Sequence, residues 1–170
     1  MGGAAVDGKI IVVCGVKKSG KTTLLTKLIK ECTGRGMKVA VIKHDGHDFA
    51  CDLPGTDSHR LKEAGAYGTA VFSGSRLFLH KTGTKEKEEH LIRMFPEADL
   101  IFIEGLKDSA YPKIEVIRDG ISEFPVSNRE GRFLIVTDRE KTQYGEMTVS
   151  FDQIKEITDQ IIKVSGGMKP

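Results

Sequence analysis

The sequence predicts an α/β fold: a three-layer domain with a mainly parallel sheet plus a β-hairpin extension. Two observations carry this prediction. Short, β-branched apolar runs alternate with longer segments of helical apolar spacing, which is typical of parallel strands joined by helices. The first of these runs also leads directly through a glycine-rich loop into a helix. With 170 residues, of which 39% are apolar and 29% charged, the chain can bury the core of one domain.

The glycine-rich loop follows the apolar run at residues 10–13 and precedes leucines at helical spacing. Gly15, Gly20, Lys21 and Thr22 fit the pattern G-x-x-x-x-G-K-[ST] of the phosphate-binding loop, or P-loop. Glycines let successive backbone N–H groups turn toward phosphate oxygens, and the helix N-terminus adds to the attraction. Lys21 can then reach the terminal phosphates, and the Thr22 hydroxyl can ligate Mg²⁺. The sequence therefore predicts a nucleotide-binding protein.

The remaining elements are predicted from apolar periodicity and turn residues. Residues 38–43 are predicted to form a second buried strand, parallel to the first through a right-handed crossover. Residues 113–118 alternate polar and apolar side chains, as a half-exposed edge strand does. The other predicted elements are a helix at 58–64 capped by Thr56 or Asp57, a hairpin of strands 69–73 and 77–79, a helix at 82–95, a buried strand at 99–104, a core strand at 133–136 and a final helix capped by Asp152.

We expect a single P-loop domain over residues 9–164, between a flexible N-terminus at 1–8 and a flexible tail at 165–170. The net charge of +2, from 26 basic and 24 acidic residues, gives no strong field for nucleic acid or a membrane. No apolar run approaches the roughly 20 residues that span a bilayer, and residues 1–8 lack a signal-peptide pattern. The three cysteines form no paired framework, which indicates a reducing compartment. We therefore expect a cytoplasmic protein.

Glu104 ends the buried strand at 99–104 and is followed by glycine. A P-loop usually works with an acidic residue at such a strand end, which holds the Mg²⁺ shell or polarises the attacking water. Aspartate is the common choice, so Glu104 is a variant. The sequence favours this role over that of a solvated carboxylate at a strand end.

A polar cluster follows the second predicted strand. It contains His44, Asp45, His47 and Asp48, with Cys51 and Asp52 shortly after. The position favours a switch or ligand-binding loop, because such loops contact the terminal phosphate and magnesium. A polar surface loop is the second interpretation. A structural zinc site is the third, since no partner motif completes a tetrahedral ligand set.

Asp138 follows the last core strand, where many GTPases place the aspartate of an N-K-x-D signature. The letters here are Val-Thr-Asp-Arg, so the four-residue signature is absent. A carboxylate can still accept from the two N–H donors of guanine, which adenine lacks; a loop-capping role is the alternative. Lys107, Lys113 and Arg118 are either anion-binding bases near the loop or scattered surface charges, and the sequence leaves both interpretations open.

Five segments resemble the molybdopterin-guanine dinucleotide biosynthesis adaptor family, called MobB. In order they read G-V-K-K-S-G-K-T-T-L-L, V-I-K-H-D-G-H-D, P-G-T-D-S-H-R-L-K-E-A-G-A, I-E-G-L-K and P-K-I-E-V-I-R. The resemblance covers residues 9–140 and implies a P-loop NTPase fold that binds GTP with Mg²⁺ and hydrolyses it slowly. It also implies a homodimer, to which the hairpin contributes. Its expected role is to assist the molybdopterin guanylyltransferase and the molybdoenzyme apoproteins that receive the finished cofactor.

The resemblance also implies which residues surround the ligand. The GTP-phosphate site comprises Gly15, Lys18, Ser19, Gly20, Lys21, Thr22 and Thr23. The residues expected around the rest of the ligand are His44, Asp45, His47, Asp48, the region 57–60, Glu104 and Lys107. Thr22 and Glu104 are the expected Mg²⁺ contacts.

Two other classes of protein fit parts of the sequence. A P-loop also serves small-molecule kinases, which typically carry an arginine-rich lid. Arg129, Arg132 and Arg139 straddle a predicted strand, however, and do not share one loop. A metallochaperone-type GTPase would use His44, His47 and Cys51 as its metal-transfer site.

Overall fold

A computed structural model of the chain describes residues 9–46, 49, 52–83, 86–139 and 144–166. The described residues divide into two compact units. The first contains those up to His44 and from Ile92 onward, and the second contains those within Asp45–Leu91. Each unit is described by itself below. The expectation of a single domain over residues 9–164 stays a prediction.

Eight strands and four helices are present in the described residues. In chain order they are β1 (Ile10–Cys14), α1 (Lys21–Gly34), β2 (Val39–Lys43), α2 (Asp57–Glu63), β3 (Gly68–Phe72), β4 (Leu77–Lys81), α3 (Glu88–Ile92), β5 (Leu100–Glu104), β6 (Lys113–Ile117), β7 (Arg132–Thr137), β8 (Met147–Val149) and α4 (Ile154–Val164).

The first unit is built on a six-stranded sheet in the order β2-β5-β1-β6-β7-β8. Every neighbouring pair is parallel. The sheet therefore brings the carboxyl ends of its strands to one edge, where open α/β sheets bind ligands. The two-stranded sheet β3-β4 is antiparallel. The prediction of an α/β fold with a mainly parallel sheet plus a β-hairpin is confirmed.

The core of the first unit lies between the sheet and the helices α1 and α4. Ile11 and Val13 of β1 are fully buried and belong to one apolar cluster with Leu28 of α1 and Ile157 and Ile161 of α4. Burying one such side chain stabilises the fold by about 1.5–3 kcal/mol. This packing fixes the start of α1 against the end of β1, and it thereby fixes the ends of the glycine-rich loop.

The second unit contains α2 and the hairpin. Thr56 caps α2, as predicted, because its hydroxyl oxygen accepts from the His59 backbone N–H at 3.3 Å. In the hairpin, Phe72 pairs with Leu77. Phe72, Leu77 and Leu79 point to one side and are more than half exposed. The hairpin therefore presents an apolar face.

The prediction that residues 113–118 form a half-exposed edge strand is wrong. β6 lies between β1 and β7, and all five of its residues are buried. Lys113 donates to the carbonyl oxygens of Ser109 and Glu130 and to the Asn128 side chain. Glu115 accepts from the backbone N–H groups of the segment 126–127. Alternating polar and apolar side chains normally indicate that the polar ones bond to water. Here the polar side chains of β6 bond to protein groups instead.

Other predicted elements differ in extent. β2 was predicted to be buried, yet its only partner strand in the described sheet is β5, and Ile42 is its one buried residue. The predicted helix at 82–95 is limited to α3, because the N–H and hydroxyl of Thr82 both donate to the Tyr67 carbonyl and continue the hairpin ladder. β8 was missed because a three-residue strand carries too little pattern.

The predicted cap of the last helix is also wrong. Gln153, and not Asp152, occupies the N-cap position of α4. The Asp152 carboxylate instead accepts from the Ser150 hydroxyl, while the Gln153 side chain accepts from the Ser150 backbone N–H at 3.0 Å. None of the helices in the described part of the chain has the length and apolar character to traverse a bilayer.

Candidate functional site

The glycine-rich loop joins the carboxyl end of β1 to the first residue of α1, Lys21. Gly15 has a φ of 142°, Lys18 one of 66° and Gly20 one of 96°. These left-handed conformations curl the loop around the start of the helix. Within the described residues, no side chain caps α1, so its first backbone N–H groups are available to an anion.

Gly15 is required by space as well as by conformation. A Cβ at this position would lie 2.5 Å from the Val116 carbonyl oxygen and 2.9 Å from the Ser19 hydroxyl oxygen. Ser19 is fully buried, and its hydroxyl has no hydrogen-bond partner among the described residues. A polar atom buried without a partner at this point is available to a bound group.

We expect the Gly15→Ala variant to lose about 2 kcal/mol of unfolding free energy, since the added Cβ forces β1 and β6 apart and strains the backbone. Gly36→Ala is the matched control. Gly36 also has a positive φ, 86°, but its Cβ would meet no atom within 4 Å, so only the conformational cost of about 1 kcal/mol remains. Urea unfolding of both variants measures the difference. Equal losses would contradict the steric argument.

A cavity of about 380 Å³ opens beside the loop. Its lining residues are Lys17, Lys18, Gly20, Lys21, Thr22, Thr23, Lys43 and Glu104. Among the described residues that line it, four lysines face one carboxylate, and this positive charge favours a multiply charged anion. The Lys21 ammonium donates to the Val16 carbonyl oxygen at 2.7 Å, within the loop itself.

Glu104 lies at the edge of this cavity because β5 runs beside β1 and ends level with it. The Thr22 hydroxyl donates to the Glu104 carboxylate, at 3.0 Å to Oε2 and 3.2 Å to Oε1. A hydroxyl and a carboxylate side by side fit Mg²⁺, which takes few protein oxygens and completes its shell with waters and substrate phosphates. The described residues contain no cluster of three or more His, Cys, Asp or Glu that could hold a metal.

The predicted histidine and aspartate cluster is only partly described. His44 directly follows β2, and its backbone N–H donates to the Glu104 carbonyl oxygen at 2.9 Å. Asp45 belongs to the second unit. His47, Asp48 and Cys51 lie outside the described residues, so the roles expected for them stay predictions.

Asp138 directly follows β7 and accepts two short hydrogen bonds. Its Oδ2 lies 2.7 Å from a guanidinium nitrogen of Arg118, and its Oδ1 lies 2.7 Å from the Asp119 backbone N. Burial raises the pKa of Asp138, but these two donors outweigh it and hold the pKa below its usual value. The Arg118 guanidinium also lies over the Phe151 ring, 4.3 Å from its centroid. Asp138 is thus ionised and held in place.

The remaining basic residues differ in whether they line the cavity. Lys107 is exposed and does not line the cavity. Lys113 is buried in the sheet, and this burial lowers its pKa. Its ammonium donates to carbonyl oxygens of the adjoining loops. Lys43 lines the cavity and was not predicted. Its sequence signal was available, since Lys43 ends the predicted strand at 38–43 as Glu104 ends the predicted strand at 99–104.

A parallel sheet whose first strand ends in a G-x-x-x-x-G-K-T loop beside a lysine-lined cavity defines a P-loop nucleotide-binding protein. A sequence model of one family of this class, described as molybdopterin guanine dinucleotide synthesis protein B or MobB, matches residues 10–138. The chain belongs to the MobB family, and the resemblance seen in the sequence is confirmed.

Two relatives support the assignment, and one solved structure shares the fold. The chain is 41% identical over 113 residues to the molybdopterin-guanine dinucleotide biosynthesis adapter protein of Escherichia coli strain K12, covering 63% of this chain and 64% of that protein. It is 31% identical over 155 residues to the protein of the same name from Haemophilus influenzae, covering 89% and 86%. The match to the Escherichia coli protein thus spans slightly less than two thirds of its length. The crystal structure of Bacillus subtilis MobB has a TM-score of 0.72 at 23% identity, over 94% of this chain and 99% of that one.

Proposed function

We propose that the chain is a GTP-binding adaptor in molybdenum cofactor biosynthesis. It assists the conversion of molybdopterin to its guanine dinucleotide form and the delivery of that cofactor to molybdoenzymes. Membership of the MobB family and the names of the relatives support the pathway. The observation that carries nucleotide binding is the lysine-lined cavity at the P-loop, with Thr22 and Glu104 in contact at its edge.

In this proposal the loop binds the phosphates. The residues concerned are Gly15, Lys18, Ser19, Gly20, Lys21, Thr22 and Thr23. Lys21 moves from the Val16 carbonyl to the terminal phosphates, and Lys43 adds positive charge at the same end. Thr22 and Glu104 hold Mg²⁺, which supplies charge neutralisation for the phosphates when it is bound. His44, Asp45, His47, Asp48 and Lys107 stay predicted contacts of the ligand.

We expect GTP hydrolysis to be slow. Glu104 is the one carboxylate among the described residues that line the cavity, and it is already bonded to the Thr22 hydroxyl. We expect a carboxylate bonded to this hydroxyl to help hold Mg²⁺ and not to polarise an attacking water. Efficient turnover also needs a water-positioning group and an added arginine, and none of the described residues that line the cavity is a glutamine or an arginine.

The proposed partners are a second copy of the chain, the molybdopterin guanylyltransferase, and molybdopterin or the molybdoenzyme apoproteins, all in the cytoplasm. The apolar hairpin face formed by Phe72, Leu77 and Leu79 supports self-association, because exposed apolar strands favour pairing between subunits.

Calorimetric titration with GTP and with ATP, each with Mg²⁺, tests the proposal. We expect one GTP per chain, a clear preference over ATP, and little nucleoside diphosphate formed during the experiment. Absence of GTP binding would contradict the proposal. Selective binding of ATP, with phosphorylation of an added pterin or nucleoside, would instead identify a small-molecule kinase.

The Asp138→Asn variant should lose about tenfold or more in its preference for GTP over ATP, because an amide cannot accept both N–H donors of guanine. The ratio of the two dissociation constants measures the effect. Asp108→Asn is the matched control, since it removes the same charge from an exposed position. An unchanged ratio in the Asp138→Asn variant would remove Asp138 from the site.

A further inference from the structure

Three side chains that follow neighbouring strands meet beside the P-loop. Arg118 follows β6, Asp138 follows β7, and Phe151 lies two residues after β8. Arg118 is bonded to Asp138 and stacked on Phe151. A Cβ on Gly20 would lie 3.2 Å from a guanidinium nitrogen of Arg118 and 3.7 Å from the Phe151 ring. The cluster therefore touches the last glycine of the loop, where α1 begins.

The position of this cluster separates it from the phosphate end of the site. Thr22 and Glu104 meet on the β5 side of β1, and they mark where the terminal phosphates and the metal are expected. The strands β6, β7 and β8 lie on the other side of β1. A nucleotide whose terminal phosphates point toward Glu104 extends its sugar and base toward the cluster.

The hydrogen-bonding groups of the cluster are only partly used. A guanidinium carries five N–H donors, and a carboxylate has about four acceptor positions. Asp138 is the only side chain among the described residues that accepts from the Arg118 guanidinium. The Asp138 carboxylate accepts from the Arg118 guanidinium on Oδ2 and from the Asp119 backbone N–H on Oδ1. Within the described residues, donors on Arg118 and further acceptor positions on the Asp138 carboxylate therefore remain for a ligand, without breaking the ion pair.

We propose that Arg118 and Asp138 read guanine as one unit, with Arg118 donating to O6 while Asp138 accepts from N1–H and from the 2-amino group. This inference rests on the proposed GTP binding. The pair presents a donor followed by two acceptors, which complements the guanine edge. Adenine instead presents an amino donor where guanine has O6, and a ring-nitrogen acceptor where guanine has N1–H. The amino donor would face the donors of Arg118, and the ring acceptor would face the acceptors of Asp138.

The surroundings of Arg118 explain how it can replace part of an N-K-x-D signature that the sequence lacks. The flat guanidinium is held on the Phe151 ring, an arrangement that a planar cation favours. The hydrogen bond to Asp138 fixes how the Arg118 guanidinium is turned above the ring. Arg118 is therefore oriented before the ligand arrives, which reduces the entropy lost on binding.

A nucleotide that differs from GTP by one atom tests the proposal. In 6-thio-GTP, sulfur replaces O6 and is a weak acceptor. We expect the wild type to bind GTP about tenfold or more tightly than 6-thio-GTP, the range of a hydrogen bond to a charged group. In Arg118→Ala and Arg118→Lys that ratio should fall to about twofold or less, since neither variant has the planar donors. Arg129→Ala, which removes an equal charge from an exposed position, should keep the wild-type ratio.

The outcomes separate this inference from the proposed function. Loss of the 6-thio discrimination in both Arg118 variants, with unchanged binding of inorganic tripolyphosphate and a cooperative thermal transition above the assay temperature, supports the inference. If Arg118→Ala weakens GTP, ATP and tripolyphosphate equally and Arg118→Lys restores them, then Arg118 serves the phosphates and the inference is wrong. If the wild type prefers GTP and both variants keep the wild-type 6-thio ratio, the inference fails while the proposed function stands. A wild type that does not bind GTP overturns both.

Discussion

The Lys21→Ala variant is expected to bind GTP about 100-fold or more weakly than the wild type while unfolding at nearly the same temperature. In the described residues the Lys21 ammonium forms no ion pair with a carboxylate; it donates only to the Val16 carbonyl in the cavity. Its removal therefore leaves no opposite charge buried and unpaired. A nucleotide would lose two charge-assisted hydrogen bonds to its terminal phosphates, each of about 1.5–3 kcal/mol, and about 2.7 kcal/mol is 100-fold in affinity.

Calorimetry with GTP and Mg²⁺ measures the affinity, and thermal unfolding without ligand measures the fold. Lys30→Ala is the matched control, because Lys30 is an exposed lysine on the same helix, outside the cavity. The control should bind GTP as the wild type does. Wild-type affinity in the Lys21→Ala variant would refute the assignment of this loop to phosphate, whatever the control does.

The P-loop was predictable because its chemistry is local. Gly15, Gly20, Lys21 and Thr22 lie within eight consecutive positions, and all four belong to one short sequence pattern. The end of β1 and the start of α1 are set by the same short stretch. The position of Glu104 beside the loop could also be predicted, because Glu104 ends an apolar strand of the same parallel sheet.

The cluster around Arg118 was not predictable in the same way. Arg118 and Asp138 are 20 residues apart, and Phe151 is a further 13 residues along the chain. They meet only because β6, β7 and β8 are consecutive in the sheet. β8 has three residues and no readable pattern, so the element that places Phe151 was missing from the prediction. The sequence indicated Asp138 by its position after a strand but gave Arg118 no defined partner.

The error over β6 has a different physical cause. Lys113 and Glu115 alternate with apolar residues, and alternation normally indicates one face in water. Most of their partners are backbone groups of the loops at 105–112 and 118–131, which have no sequence signature. The sequence shows that these two charged side chains need polar partners. It does not show whether those partners are water molecules or groups of the protein.

That correction leads to the largest expected effect on stability. Glu115→Ala should lower the free energy of unfolding by about 3 kcal/mol or more. Glu115 is 1% exposed, and its carboxylate accepts from the Val126 N–H at 3.0 Å, the Ser127 N–H at 3.3 Å and the Cys14 thiol at 3.2 Å. Each buried donor left without an acceptor costs about 1–3 kcal/mol, and the emptied volume adds to the loss.

Urea unfolding measures the total, and amide hydrogen exchange at Val126 and Ser127 reports the local change. Glu115→Gln should lose less than Glu115→Ala, because its carbonyl oxygen still accepts from one of the two amides. Glu130→Ala, at an exposed position near the same segment, should stay within about 0.5 kcal/mol of the wild type. If Glu115→Ala were as stable as Glu130→Ala, with slow exchange at both amides, then water would satisfy those amides. The burial of β6 would then follow from its apolar residues alone.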